Sequence, residues 1–148
     1  MIDSYFLKTV PKFNLDVSRE TLERLDEYSK DIILKNKEIN LISKSTESSI
    51  KSRHIADSMQ TIDFIDKNDI KICTDLGSGA GLPGIVLGII MSSKKPTFKV
   101  IFYEKSYHKS NFLREMSKKF KLDAEIYQKN IFNEKNLIID VIISRAFK

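Results

Sequence analysis

The stretch Asp75-Leu76-Gly77-Ser78-Gly79-Ala80-Gly81-Leu82-Pro83-Gly84 decides how this chain is read. Before it stands Ile70-Lys71-Ile72-Cys73-Thr74, a β-rich run in which Cys73 is expected to be a buried strand residue. After it comes an apolar segment to Met91, which reads as a helix entered at Pro83, because the fixed φ of proline suits a first helical turn. Strand, glycine loop and helix in that order make the ligand-binding turn of an open α/β sheet, beyond the carboxyl end of its first strand. The chain has only five glycines in 148 residues, and all of them (Gly77, Gly79, Gly81, Gly84 and Gly88) fall in this loop and its helix. Glycine permits φ > 0 and lets a ligand approach the backbone closely.

Upstream, residues 1–68 read as helical. Ser18 can cap a helix whose apolar positions Leu22, Leu25, Tyr28, Ile32 and Ile33 recur at three- and four-residue steps. Ser45 or Thr46 then opens a second helix to about Phe64, with Ile50, Ile55, Met59 and Ile62 inward. Downstream, a second strand is expected at Phe98–Tyr103, a helix at His108–Phe120 with Phe112, Leu113, Met116 and Phe120 in the core, and a third strand at Ala124–Tyr127. Asp140-Val141-Ile142-Ile143-Ser144 is a fourth strand, apolar enough to be central. Strands alternating with helices predict a parallel sheet. The fold class is therefore α/β, a Rossmann-like but incomplete sheet of about four strands preceded by N-terminal helices. Residues 1–68 are expected to pack on a sheet domain spanning 69–148. An apolar last strand so near Lys148 would leave an unpaired edge, so a C-terminal portion of the domain is expected to be missing.

Composition removes several classes of function. One cysteine excludes a disulfide framework and a cysteine-based zinc site. The two histidines, His54 and His108, show no metal-binding spacing, so no metal is expected. The longest apolar run, Ile85–Met91, is far short of the ~20 residues of a membrane span. The first residues, Met1 to Lys8, lack the layout of a secretory signal, and a cytoplasmic setting is expected. Net charge is +5, and it is uneven: nine basic residues between Lys94 and Lys121 (Lys94, Lys95, Lys99, Lys105, Lys109, Arg114, Lys118, Lys119 and Lys121) face only Glu104 and Glu115. Such a segment suits an anionic partner such as nucleic acid.

The ligand of the loop is narrowed by its neighbours. A Walker A loop is excluded, because no Gly-Lys-Ser/Thr follows. The dinucleotide spacing G-x-G-x-x-G fails when counted from Gly77 and Gly79 but is met by Gly79, Gly81 and Gly84, so spacing alone leaves both readings open. Asp75 stands two residues before the first glycine, and Glu104 closes the second strand. An acid there can accept ribose hydroxyls, and an acidic loop entrance suits a cationic sulfonium and ammonium better than a pyrophosphate. That favours S-adenosyl-L-methionine over a nicotinamide dinucleotide. The D-x-G-x-G-x-G form also resembles motif I of the class I methyltransferases.

Further segments extend the resemblance. They are Asn40-Leu41-Ile42-Ser43, Arg53-His54-Ile55-Ala56-Asp57-Ser58-Met59, the glycine loop with its Leu82-Pro83-Gly84, Lys109 followed by Phe112-Leu113, and Ser144-Arg145-Ala146. In this order they resemble the bacterial small-subunit ribosomal RNA methyltransferases that form 7-methylguanosine, the RsmG (GidB) family, over about residues 20–148. The resemblance implies an S-adenosyl-L-methionine-dependent transfer to guanine N7 in small-subunit (16S) ribosomal RNA. RNA or a small ribosomal subunit precursor is the implied partner, and the chain is expected to be a monomer. It implies cofactor contacts from Asp75, Gly77, Gly79, Gly81, Leu82, Glu104 and Arg145, and from Asn130 and Ile131 after the third strand, where Lys129 replaces the family's arginine. Arg145, His54 and Asp57 are the implied catalytic residues. His54 and Asp57, three apart on one helix face, are expected to meet each other at the cleft. Guanine N7 carries a free lone pair, so no general base is expected. The alternative is a truncated, catalytically impaired relative that still binds cofactor or RNA.

Overall fold

A computed structural model describes residues 16–145, together with Ser4 and Lys8. Ala146 and most of residues 1–15 lie outside the described residues. Helix α1 (Arg19–Lys35) starts at Ser18, whose side chain accepts from Thr21 N–H at 3.1 Å. Its apolar stripe puts Leu22, Leu25, Tyr28 and Ile32 in the core, as the spacing predicts.

The second helical stretch is not the single helix expected. It runs as a 3₁₀ segment (Lys44–Ser49), a π-helical turn (Lys51–Ala56), one α-helical turn α2 (Asp57–Met59) and the short helix α3 (Ile62–Lys67). The reason lies in the apolar spacing. Ile50 and Ile55 are five apart, too far round an α-helix to share a face, and a π turn brings them together. Ile50, Ile55, Met59 and Ile62 are all buried.

Strand β1 (Ile72–Leu76) leads into the glycine loop, and helix α4 (Gly84–Lys94) follows. Then come β2 (Lys99–Tyr103), α5 (Tyr107–Lys119), β3 (Ala124–Tyr127), a 3₁₀ turn (Ile131–Asn133) and β4 (Val141–Ser144). All pairings are parallel and the strand order is β3-β2-β1-β4. Among the described residues β4 is therefore an edge, not the central strand that its apolarity predicts. It pairs only with β1, and Ile142 is half exposed on the open side. Apolarity reports burial of strand faces and says nothing about how many neighbours a strand has. Asp140 fixes the start of this pairing, its Oδ2 accepting from Lys71 and Ile72 N–H at 2.9 Å.

Register sorts the strand residues between faces. Cys73 pairs with Val100 and Asp75 with Phe102, so these share the face covered by α1, α4 and α5. Helix α4 is buried along its length from Gly84 to Met91. Helix α1 is tied across it: Arg24 donates to Ser92 Oγ at 3.2 Å and to Phe120 O, and Lys119 bridges Glu27 and Asp31 at 2.8 and 2.6 Å. At Gly88 an added Cβ would lie 2.9 Å from Leu122 Cδ1, so a larger residue there would have to push aside the side chain that leads into β3. No helix among the described residues is long and apolar enough to cross a membrane.

Candidate active site

The glycine loop is held from every side. Gly77 and Ser78 N–H donate to Tyr103 O at 2.9 and 3.3 Å, which locks the end of β1 to the end of β2. Ser78 Oγ donates back to Asp75 O at 3.0 Å, and Gly81 N–H donates to Ser78 O at 2.8 Å. Gly79 N–H donates to Glu104 Oε2 at 2.8 Å, and Gly84 N–H to Asp75 Oδ2 at 3.0 Å. Tyr28 reaches from α1 to donate its hydroxyl to Ala80 O at 2.6 Å, in a buried setting. Sequence reading placed Tyr28 in the core and missed this bond, because a helical stripe does not reveal which loop it touches.

Gly77, Gly79 and Gly81 have φ of 65°, 56° and 90°. Gly79 is the telling one: a Cβ there would meet nothing within 4 Å, so its Cα faces open space beside the cleft. Gly84 is the opposite case, since a Cβ would collide with the Phe102 ring and come within 2.6 Å of Asp75 Oδ2. Leu82 is buried.

The two acids are held differently. Asp75 is fully buried, and its carboxylate is turned onto the first amide of α4. It thereby fixes the shape of the loop where the loop enters α4. Burial pushes its pKa up from 3.8 to about 7, Glu104 adds to the rise, and the Gly84 N–H opposes it. Burial, with Asp75 nearby, also pushes the Tyr28 hydroxyl well above its ordinary value. Glu104 is 8% exposed and fully engaged: Oε2 takes Gly79 N–H, and Oε1 takes Ser106 N–H at 2.9 Å. It joins the glycine loop to the start of α5, and each oxygen has capacity for one further hydrogen bond.

Strand β4 brings the third part of the cleft. Ser144 pairs with Leu76, so Arg145 comes to the level of Gly77. Arg145 Nη2 donates to Arg53 O at 3.0 Å and its Nε lies 3.7 Å from Asp57 Oδ2, while Nη1 is buried without a partner. The structure thus gathers Arg145, Arg53, His54 and Asp57. His54 and Asp57 do not meet as expected, and no hydrogen bond joins them. The π turn rotates the imidazole toward Thr46 Oγ1, at 2.8 Å, and Asp57 faces Arg145. Burial, and next the Arg145 charge, lower the His54 pKa, with Asp57 opposing.

Asn130 and Ile131 fall in the loop after β3. Asn130 is exposed and caps its own turn, accepting from Phe132 N–H at 3.1 Å, and Ile131 is half-buried. Lys129 is drawn aside into a tyrosine pair, with Nζ 5.1 Å from the Tyr127 ring and 5.9 Å from that of Tyr103, and it is bridged to Glu134.

The basic segment 94–121 is divided by the topology. In a parallel sheet each helix runs back from the loop end, so Lys94, Lys95, Lys99, Lys118, Lys119 and Lys121 lie at the opposite end of the sheet, about 16 Å away for five-residue strands. Four of them are already paired, Lys94 to Asp66, Lys95 to Asp69, Lys99 to Glu125, and Lys119 to Glu27 and Asp31. Among the described residues the cations toward the loop end include Arg53, Lys105, Lys109, Lys129 and Arg145. Among the described residues no group of three or more His, Cys, Asp or Glu side chains could hold a metal.

Comparison with known proteins places this arrangement in a family. A family model described as rRNA small subunit methyltransferase G (GidB) matches residues 21–148. The chain is 46% identical over 137 residues to the ribosomal RNA small subunit methyltransferase G of Pelagibacter ubique, covering 91% of this chain and 64% of that protein. It is 37% identical over 132 residues to the protein of that name from Cereibacter sphaeroides, covering 89% and 64%. The chain thus spans less than two thirds of the length of these relatives. Among solved structures, coclaurine N-methyltransferase bound to N-methylheliamine and SAH aligns with a TM-score of 0.49 at 14% identity, covering 93% of this chain and 47% of that one. The match over residues 21–148 and the identity to the Pelagibacter protein agree, and the chain belongs to the rRNA small subunit methyltransferase G family.

Proposed function

We propose that this chain binds S-adenosyl-L-methionine in the glycine loop and serves methyl transfer to guanine N7 in small-subunit (16S) ribosomal RNA. The observation that carries the cofactor reading is where the loop amides go. A pyrophosphate needs free backbone N–H groups at the loop and helix N-terminus. Here the N–H groups of Gly77, Ser78, Gly79, Gly81, Gly84 and Ile85 are all given to protein acceptors, two of them carboxylates, and Pro83 has none. A loop with most of its donors spent, those of Ala80 and Leu82 excepted, and with an acidic surround fits a cationic ligand without phosphates. The open space at Gly79 leaves room for it.

Gly77, Gly79 and Leu82 would supply the wall, Glu104 the lone pairs for ribose hydroxyls, and Asn130 with Ile131 the adenine side. When bound, the cofactor supplies a methyl group made electrophilic by its sulfonium, which the N7 lone pair takes up as the carbon–sulfur bond breaks. The residues of the chain need only align the base and exclude water. In the cluster of Arg53, His54, Asp57 and Arg145 at the level of Gly77, His54 and Asp57 are not joined as an acid–base pair, and transfer to N7 requires none. Arg145, anchored by Arg53 O and Asp57, is rigid enough to orient a base. RNA phosphates would meet the loop-end cations, giving affinity without sequence choice. Helix α1 supports the sheet through Tyr28, and the π turn carries His54 to the level of the loop.

The test is transfer of labelled methyl groups from S-adenosyl-L-methionine to small-subunit RNA and to 30S particles from cells lacking this modification, with the product nucleoside identified. Label in 7-methylguanosine is the expected result. Cofactor binding without transfer to either substrate would favour the alternative of a binding relative.

A further inference from the structure

The glycine loop is tied to an aromatic ring that stands in water. Glu104 accepts Gly79 N–H with one oxygen and Ser106 N–H with the other, so a single carboxylate joins the open side of the loop to the cap of α5. Tyr107 is the next residue. Its ring is 61% exposed, and the ring beside it is that of His108, nearly perpendicular at 5.4 Å and 74°. Ser110, Phe112, Leu113 and Met116 form the buried side of α5. Tyr107, Asn111 and Arg114 follow one another at steps of four and three on the opposite side, a stripe about 10 Å long that starts at the loop end. Arg114 Nη1 donates to Asn111 Oδ1 at 2.9 Å, which sets the guanidinium along the stripe. The cations here are uncommitted. At the far end of the sheet Lys94, Lys95, Lys99 and Lys119 are bridged to acids, whereas Lys105, Lys109 and Arg114 have no acidic partner among the described residues.

We propose that the outer stripe of α5 docks a single strand of RNA at the entrance to the cleft, with Tyr107 stacking on an unpaired base near the target and Lys105 and Arg114 holding phosphates. This rests on the RNA reading above. A base that is to meet a methyl donor must leave its stack, and its neighbour then loses a stacking partner. An exposed ring beside the loop replaces that partner, and every base has a π face to offer it. The bases of a duplex are closed to such a ring, so the stripe selects a loop or single strand. A protein partner would call for a contiguous apolar patch, and Tyr107 is the one large apolar side chain exposed on α5.

The experiment is filter binding of small-subunit RNA from cells lacking the modification, over a range of salt concentrations. Tyr107→Ala should lower affinity about tenfold at every salt concentration with the salt slope unchanged, because stacking releases no counterions. Tyr107→Phe should bind as wild type does, and Tyr107→Leu, apolar but without a π face, as the alanine variant does. Arg114→Gln should instead reduce the salt slope by about one. S-adenosylhomocysteine binding, read by calorimetry, should be the same in all four variants. The ring is exposed, so these substitutions leave the core of α5 intact. Tyr107→Ala binding RNA as tightly as wild type, a leucine variant equal to wild type, or a loss confined to S-adenosylhomocysteine overturns this inference and leaves RNA binding standing. A wild-type chain that binds no small-subunit RNA overturns the reading beneath it and this inference with it.

Discussion

Replacing Asp75 by asparagine should stabilise the protein, and only at neutral and alkaline pH. The carboxylate is fully buried, one oxygen accepts from Gly84 N–H, and the other has no partner. Its pKa stands at about 7 in the fold against an ordinary 3.8. An acid with a raised pKa binds its proton more tightly in the native state, so stability falls as pH rises between those values and levels off above about 7. At 1.36 kcal/mol per pH unit, ionised Asp75 costs the fold about 4 kcal/mol at pH 8 and almost nothing at pH 4. The asparagine carboxamide would keep an oxygen for Gly84 N–H and carry no charge. Urea unfolding should therefore show Asp75→Asn more stable than wild type by a few kcal/mol at pH 8, with the gain shrinking to about zero near pH 4. A variant destabilised by the same amount at both pH values would refute the reasoning. It would mean that the carboxylate is satisfied in the fold and that its burial is not the source of strain.

Other consequences follow from the same bonds. Glu104→Gln turns one carboxylate oxygen into a donor facing a backbone N–H, and should cost about 2–4 kcal/mol in urea unfolding, given about 1.5–3 for each bond to a charged group. Tyr28→Phe leaves Ala80 O buried and unpaired, and should cost about 1–3 kcal/mol in the same assay. Lys94→Gln with Lys95→Gln, at the far end of the sheet, should leave RNA affinity unchanged in filter binding, whereas Lys105→Gln with Lys109→Gln should weaken it and flatten its salt dependence.

Much of this was legible in the residues. The stripe of α1, the Ser18 cap and the strand–loop–helix run around Asp75 each carry a local pattern, and local patterns survive folding when the core agrees with them. The break in the second helix was written in the five-residue step from Ile50 to Ile55, but a π turn is rare enough that an α-helix is the natural reading. The rest is tertiary. Nothing near Lys94 or Lys119 in sequence announces Asp66 or Asp31 as a partner, so the basic segment looked less committed than it is. Glu104 was found by its place at the end of β2, yet its grip on Gly79 and Ser106 depends on loop geometry. The bond from His54 to Thr46 depends on the π turn and is visible only in the structure.

A glycine loop built for a methyl donor should not accept a dinucleotide. Its most direct test is calorimetric titration of the chain with S-adenosyl-L-methionine and with NAD, repeated on Gly79→Arg, which fills the open space beside the loop. S-adenosyl-L-methionine should bind the wild-type chain and not the variant, and NAD should bind neither. Tight NAD binding, or S-adenosyl-L-methionine binding undiminished by the arginine, would contradict it.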